Sequence, residues 1–301
     1  MYDVVIVGGS AAGLSAALVL GRSRRKVLVC DTNQPRNGPS PTAHSIFTRD
    51  GTPPADLLAI GRGQLDAYGV EVRSIAVTHA QAADQDVFLL DLANGEQVRS
   101  RKVLLATGVR DVLPPIAGIE QFWGTSVLHC PYCHGWEVRD QPIAVLSSCE
   151  TAVYLAYLLR NWSRDLALCT NGFGQLSEAE RDRIASLNIP IYERPIAQLE
   201  GEQAQLEGIR FADGTLLKRR SLFVRPTQEQ RSYLAYDLGC ELGEGGIIKV
   251  DEQGQTSVMG VYAAGDMMRQ MQQIIFAAAD GARAAMAINH TFVQEEMCLA
   301  A

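Results

Sequence analysis

Residues 2–20 read YDVVIVGGSAAGLSAALVL, and the order of residue types in this stretch decides the fold. YDVVIV is a run of β-branched and apolar residues without alternation, the pattern of a strand buried on both faces in a parallel sheet. GGSAAG, from Gly8 to Gly13, contains only small residues and suits a tight turn. Residues 13–20 have helical composition, and residues 26–30 (KVLVC) form a second apolar run. Strand, tight turn, helix and strand in that order open a doubly wound sheet.

Outward from there the same plan continues. Residues 53–68 read as an amphipathic helix and residues 70–77 as another strand. Asn94-Gly95 marks a hairpin ahead of an apolar strand at 103–106. The pair Pro114-Pro115 stiffens the chain, and a crossover into a second domain is expected there. Beyond it come a strand at 143–146, a helix at 150–159, a strand at 166–169, an Asp213-Gly214 hairpin and a strand at 222–224. Spacing repeats along with order. Gly8 to Asp31 and Ser147 to Thr170 are both 23 residues apart, and Gly95 to Val103 and Gly214 to Leu222 are both eight. Two copies of one unit are the reading. Residues 247–301, with a strand, the run GVYAAGD and a long Ala-rich helix, return to complete the first copy. The expected fold is α/β: two nucleotide-binding, Rossmann-like domains of three-layer ββα build. Residues 1–115 with 247–301 form one, and residues 116–246 are inserted into it.

A chain of 301 residues suits two such domains. Apolar residues at 47% and charged residues at 20% are ordinary for a globular protein. A net charge of -7 argues against a nucleic-acid partner, and the basic runs at 24–26 and 218–220 read as solvated edges. No basic segment precedes an apolar one at the N-terminus, so no signal peptide is expected. Nothing approaches the ~18 apolar residues of a membrane span. Seven scattered cysteines do not form a secreted disulfide framework. A reducing cytoplasm is the expected setting, where a close cysteine pair serves catalysis or a metal.

GGSAAG matches G-x-G-x-x-G with Ser10 at the second glycine. It follows a strand and opens a helix, and Asp31 ends the next strand, the contexts that mark a dinucleotide site. The turn from Gly8 through Ser10, Ala11 and Ala12 to Gly13 offers backbone N–H groups and a helix dipole to a pyrophosphate. Asp31 accepts hydrogen bonds from the ribose hydroxyls. Ser10 costs some closeness of approach, and its hydroxyl can itself bond phosphate. Ala106-Thr107-Gly108 and the run GVYAAGD, ending in Gly265-Asp266, resemble the later motifs of two-dinucleotide-binding flavoproteins. That resemblance implies FAD, with Asp266 bonded to the ribityl chain or phosphate.

Residues 129–137 read HCPYCHGWE. Cys130 and Cys133, with two residues between them, can close a small disulfide ring. Pro131 suits a first helical turn, which puts Cys130 at a helix N-terminus where a thiolate is stabilised. Zinc is the alternative. It wants four tetrahedral ligands, whereas His129, Cys130, Cys133 and His134 are too crowded to serve one ion and no second Cys-x-x-Cys follows.

FAD motifs at both ends, a second nucleotide-type domain between them and Cys-x-x-Cys near its start resemble low-molecular-weight thioredoxin reductase over nearly the whole chain. The resemblance implies that Cys133 faces the flavin and makes a charge-transfer contact while Cys130 exchanges with substrate. The family run ends in Cys-Asp-Gly, so His134 takes the place of the acid, with an ordinary pKa of about 6.5 suited to neutral pH. Gln273 aligns with a family residue that bonds the flavin ring, and the resemblance implies that His44 lies in a loop near the isoalloxazine. A homodimer and rotation of the middle domain about residues 114–120 and 243–248 are also implied.

The second copy departs from the NADPH-using members. Ser147, Cys149 and Ala152, within LSSCETA, stand where the family has its second glycine fingerprint, and Glu150 adds a negative charge. Thr170-Asn171-Gly172 follows the next strand, with no Arg before Arg181, so a 2′-phosphate has no cation. NADPH binding is not expected, and the vacated site is open to a second flavin or another ligand. Two subgroups share this loss. One is the pyridine-nucleotide-independent reductases, including ferredoxin-linked and diflavin forms; the other is the dithiol oxidases, whose Cys-x-x-Cys-His-Gly this chain also resembles. The first implies electrons from a donor such as ferredoxin to thioredoxin or a similar disulfide protein. The second implies electrons from a small dithiol to dioxygen. A flavin redox sensor without turnover would keep the same motifs.

Overall fold

The computed structural model describes residues 1–83, 87–148, 151–172 and 176–300. The first unit opens with β1 (Tyr2–Val7), α1 (Ala11–Arg22) and β2 (Val27–Asp31). It continues through α2 (Pro54–Gly63), β3 (Glu71–Ser74), β4 (Val77–Ala83), β5 (Val87–Leu92) and β6 (Gln97–Leu105). The end of the chain adds β17 (Val261–Ala263) and α8 (Ile274–Ala300). β3-β2-β1-β6 run parallel with β17 beside β6, while β4, β5 and β6 form an antiparallel meander in the same sheet.

The unbroken apolar run of β1 has a packing cause. Val4 and Ile6 face α1 and α8, against Leu14, Leu20, Ile288 and Phe292. Val5 and Val7 face the meander, against Phe88 and Leu90. Each such side chain is fully or nearly fully buried, worth roughly 1.5–3 kcal/mol of transfer free energy. Helices, parallel sheet and meander are the three layers expected. The strand expected at 70–77 is two strands instead: β3 closes the edge of the parallel sheet, and β4 restarts at Val77 in the meander. A tight turn, with the Ile75 N–H bonded to the Arg73 carbonyl at 3.0 Å, separates them. The helix expected at 53–68 ends at Gly63, and a short 3-10 turn follows at Asp66–Tyr68.

The second unit contains α3 (Ile119–Phe122), β8 (Val127–Leu128), α4 (Pro131–His134), β9 (Ile143–Leu146), α5 (Thr151–Leu159) and β10 (Leu166–Cys169). After α6 (Glu178–Ala185) come β11 (Ile191–Tyr192), β12 (Ile196–Glu202), β13 (Gln205–Phe211), β14 (Leu216–Lys218) and β15 (Ser221–Val224). Its parallel sheet has the order β11-β10-β9-β15-β8, and β12-β13-β14 form an antiparallel meander. Position by position this repeats β3-β2-β1-β6-β17 with β4-β5-β6. The hairpin glycines also correspond, Gly95 with φ 84° and Gly214 with φ 86°. The repeated spacing in the sequence is therefore a repeated topology.

β7 (Val109–Val112) pairs antiparallel with β16 (Thr227–Gln230), and this ribbon links the two units. Beyond it α7 (Leu234–Asp237), Leu238, Cys240 and Ile248 pack in the meander core of the first unit. No helix among the described residues is long and apolar enough to cross a membrane.

Candidate redox site

A cavity of about 460 Å³ runs from the β1–α1 turn to the Cys-x-x-Cys segment. At one end stand Gly8, Ser10, Ala11 and Ala12. Gly8 has φ 108°, and a Cβ there would lie 2.2 Å from the Ala106 carbonyl oxygen; a Cβ on Gly13 would lie 1.8 Å from the carbonyl oxygen of Gly8. Glycine at both positions lets α1 start directly against the sheet. The first amides of α1 then meet the cavity without intrahelical acceptors. Ser10 caps α1 with extended backbone and makes no side-chain cap bond. Asp31, at the end of β2, lies beneath Gly9, and its carboxylate accepts a hydrogen bond from Arg62 Nη2 at 2.7 Å. Ala106, Thr107 and Gly108 after β6, Gly265 and Asp266 after β17, and Gln273 and His44 line the remainder. Gln273 stands at the head of α8, its carbonyl accepting the Ala277 N–H at 2.9 Å. This cradle of close-packed backbone, free amides and a carboxylate on the second strand fits a flavin dinucleotide.

At the other end Cys130 and Cys133 form a disulfide with their Cα atoms 5.3 Å apart. Pro131 begins the single turn of α4, and Cys130 is its N-cap, with its Sγ accepting the Cys133 N–H at 3.2 Å. The sequence expectation of a helix dipole here reduces to that one direct donor, since α4 has only four residues. Cys133 lines the cavity and Cys130 does not. The pair is thus asymmetric.

His134 lines the cavity, with its Nε2 2.9 Å from Ser40 Oγ and its Nδ1 buried and unpartnered. Burial, with a smaller contribution from His129, pushes its pKa down to about 4 against the opposing charge of Glu137. This corrects the ordinary value of about 6.5 expected from residue type: in this oxidised form His134 is neutral at pH 7. His129, weighed above only as a zinc ligand, is a second half-buried imidazole in the cavity. It stacks on Trp123 at 5.6 Å, and burial, then the charge of Arg36, lowers it to about 4. His44 Nε2 lies 2.9 Å from Thr42 Oγ1 and 3.3 Å from Glu137 Oε1.

These two depressed values fix a pH dependence. The unfolded chain protonates both imidazoles near pH 6.5, whereas the folded chain does so only near pH 4. Between those values the unfolded state binds more protons, so stability falls as pH is lowered from 6.5 toward 4. The expected loss is on the order of 3 kcal/mol per histidine. Urea midpoints measured from pH 7.5 to 4.5 should fall steeply for the wild type and more shallowly for His129→Gln and His134→Gln. Equal slopes in all three would contradict it.

Arg36 is a site residue with no sequence signal, a lone cation in the loop QPRNGPSP. It grips Asp111 through two bonds, at 2.6 and 2.7 Å, and donates to Asp266 at 2.9 Å. Asp111 lies on β7, so the clasp ties the inter-unit ribbon to the turn bearing Asp266. Burial raises the Asp266 pKa, and the Arg36 charge opposes that shift. Gln272 and Gln228 exchange amide hydrogen bonds at 2.9 Å beside it, joining the same turn to β16.

In the second unit Thr170 follows β10 at the place Asp31 holds in the first, but it is buried and its hydroxyl has no partner among the described residues. Asn171 Oδ1 accepts the Ile196 N–H at 2.6 Å, pinning the following loop to β12. Arg181 is engaged by Glu193 at 2.6 Å. Ala152 is buried in α5, and Cys149 and Glu150 lie outside the described residues.

A family model described as pyridine nucleotide-disulphide oxidoreductase matches residues 2–281. A protein named thioredoxin reductase sirT, from Leptosphaeria maculans, is 30% identical over 319 aligned positions, covering 99% of this chain and 96% of the relative. The crystal structure of HlmI superposes with a TM-score of 0.95 at 39% identity, covering 99% of this chain and 95% of that one. The putative thioredoxin reductase TrxB from Bacillus anthracis gives a TM-score of 0.95 at 33% identity, covering 98% and 100%.

Proposed function

Since the chain belongs to the pyridine nucleotide-disulphide oxidoreductase family and is a thioredoxin-reductase-like enzyme, we propose that it exchanges electrons between FAD and a dithiol–disulfide couple through Cys130 and Cys133, without NADPH. The asymmetry of the disulfide carries this reading: Cys133 belongs to the cavity wall and Cys130 does not. One sulfur is for the cofactor and one for the partner. Bound FAD supplies a two-electron carrier beside Cys133. The turn at Gly8–Gly13 holds its pyrophosphate and Asp31 its ribose. Asp266 would hold the ribityl chain or phosphate, and Gln273 and His44, which line the same cavity, would hold the flavin ring.

In the exchange a thiolate attacks Cys130 Sγ, the Cys130–Cys133 bond breaks, and Cys133 leaves as a thiolate inside the cavity. Run backward, Cys130 attacks a partner disulfide. The donor sets the direction. A ferredoxin-type donor makes the chain a reductase of thioredoxin or a similar protein. A small dithiol donor, with dioxygen as acceptor, makes it an oxidase. Exposed aromatic side chains beside the pair, Tyr132 at 59% and Trp136 at 65%, favour this second reading, since they offer an apolar small molecule a stacking surface. The NADPH-independent reading draws support from Thr170, the pinned Asn171 loop and the engaged Arg181. We place the enzyme in the cytoplasm as a homodimer, for which the exposed stripe Met286, Val293 and Met297 on α8 offers an apolar face.

The test is anaerobic mixing of the flavin-loaded protein with NADPH, reduced ferredoxin or a small dithiol while flavin absorbance is followed. NADPH is expected to leave the absorbance unchanged, and prompt bleaching by it overturns the proposal. Bleaching by the dithiol with peroxide formed on admitting air identifies the oxidase. Bleaching by ferredoxin with reduction of thioredoxin identifies the reductase. Absence of turnover with every donor leaves a flavin sensor.

A further inference from the structure

We infer that Ser40 is a positioning residue that fixes the tautomer of His134, leaving Nδ1 as the bare nitrogen that takes up and returns the proton of thiol–disulfide exchange. The inference rests on the redox reading above for the identity of the thiol, and on hydrogen-bond accounting for the tautomer. Ser40 Oγ makes two contacts, one to the Thr42 carbonyl oxygen at 2.7 Å and one to His134 Nε2 at 2.9 Å. A hydroxyl has one proton and a carbonyl can only accept, so the Ser40 proton goes to Thr42. Toward His134 the Ser40 oxygen is therefore the acceptor, and Nε2 carries the hydrogen. A neutral imidazole has only one N–H, so Nδ1 is a lone pair.

That lone pair is buried and has no hydrogen-bond partner among the described residues. A buried unpaired acceptor is unfavourable and rare in native proteins, and it marks a group held ready for chemistry. The ring is kept neutral by burial and by the neighbouring imidazoles His129 and His44, while Glu137 pulls the other way. It is uncharged while the pair is oxidised, and the negative charge that forms on Cys133 as the disulfide opens raises its affinity for a proton.

The proton balance of the exchange uses this state. A substrate thiol transfers its proton to His134 Nδ1, and the thiolate sulfur bonds to Cys130 Sγ. The Cys130–Cys133 bond breaks, and its electron pair stays on Cys133. The imidazolium at His134 and the new thiolate at Cys133 both border the same cavity, where opposite charges favour one another. In the reverse direction Nδ1–H gives the proton to the departing thiol. Ser40 lies in the loop after β2 and His134 in α4, so the hydrogen bond forms only when the second unit presents its disulfide to the cavity. The base is set as the sulfur arrives.

The test is nitrogen-15 NMR of histidine-labelled, flavin-loaded protein, together with the rate at which a small dithiol opens the Cys130–Cys133 disulfide. In the wild type His134 should be the Nε2–H tautomer. Ser40→Ala should lose that preference and slow opening about 10- to 100-fold, with flavin content and melting temperature kept; Ser40→Thr, which retains the hydroxyl, should restore both. An Nδ1–H tautomer in the wild type, or full exchange speed in Ser40→Ala, overturns the inference. If no thiol or disulfide reacts with the wild type, the redox reading is what fails, and the tautomer in the three proteins alone decides the role of Ser40.

Discussion

Cys133→Ser and Cys130→Ser should each lower turnover of a dithiol or disulfide substrate by at least ~10³-fold, because each removes one of two sulfurs that act as a unit. Their spectra should nevertheless differ. In Cys130→Ser the remaining sulfur belongs to the cavity wall, so on deprotonation it should give the flavin a long-wavelength absorbance shoulder. In Cys133→Ser the remaining sulfur is outside that wall. It should give no shoulder, but when a disulfide substrate is added Cys130 should attack it and remain joined to one substrate sulfur as a mixed disulfide while the other sulfur leaves as a thiolate, since no second cysteine is left to resolve it. Absorbance titration against pH and intact-mass analysis after substrate addition read the two outcomes. A shoulder in Cys133→Ser and none in Cys130→Ser would reverse the assignment of the two sulfurs.

What the sequence made legible follows from what a single stretch of chain must satisfy locally. YDVVIVGGSAAG announces itself because β1 is covered on both faces and because backbone packs on backbone at Gly8 and Gly13. Neither demand can be met by other residue types. The two 23-residue intervals were legible because each spans one turn, helix and strand, whose lengths the layers dictate. The ribbon of β7 and β16 was not legible. Residues 109–112 (VRDV) and 227–230 (TQEQ) are short and largely polar, and backbone pairing holds them without an apolar period to betray it. The packing of α7 in the meander core was not legible for a related reason: a four-residue helix carries no periodicity. Arg36 and the depressed pKa values of His129 and His134 depend on burial made by distant segments. Ser40 and His134 are 94 residues apart, and a hydrogen bond across that distance leaves no mark in either neighbourhood.

The other large effect concerns the cradle itself: Gly13→Ala should yield a folded but nearly colourless protein. The added methyl would sit 1.8 Å from the Gly8 carbonyl oxygen and 3.3 Å from Ile6 Cγ2. The first of these is backbone, so it cannot be relieved by a side-chain rotation. α1 must withdraw from the sheet by on the order of 1 Å or more, the kind of backbone shift that overpacking forces. Overpacking of this kind costs about 1–3 kcal/mol, less than the ~5–15 kcal/mol that holds a typical domain, so the fold should survive. The flavin site should not, because the amides of Ala11 and Ala12 move with α1 and a pyrophosphate site depends on their position. Retention of less than about a tenth of the wild-type flavin is expected, read as visible absorbance per protein after desalting. Gly63→Ala is the control. It stands at the end of α2 with nothing within 4 Å of the added atom, so it should keep its flavin and gain roughly 0.5–1 kcal/mol from the reduced freedom of the unfolded chain. A fully yellow Gly13→Ala protein of wild-type stability would mean that the close approach of α1 to β1 is not what forms the site.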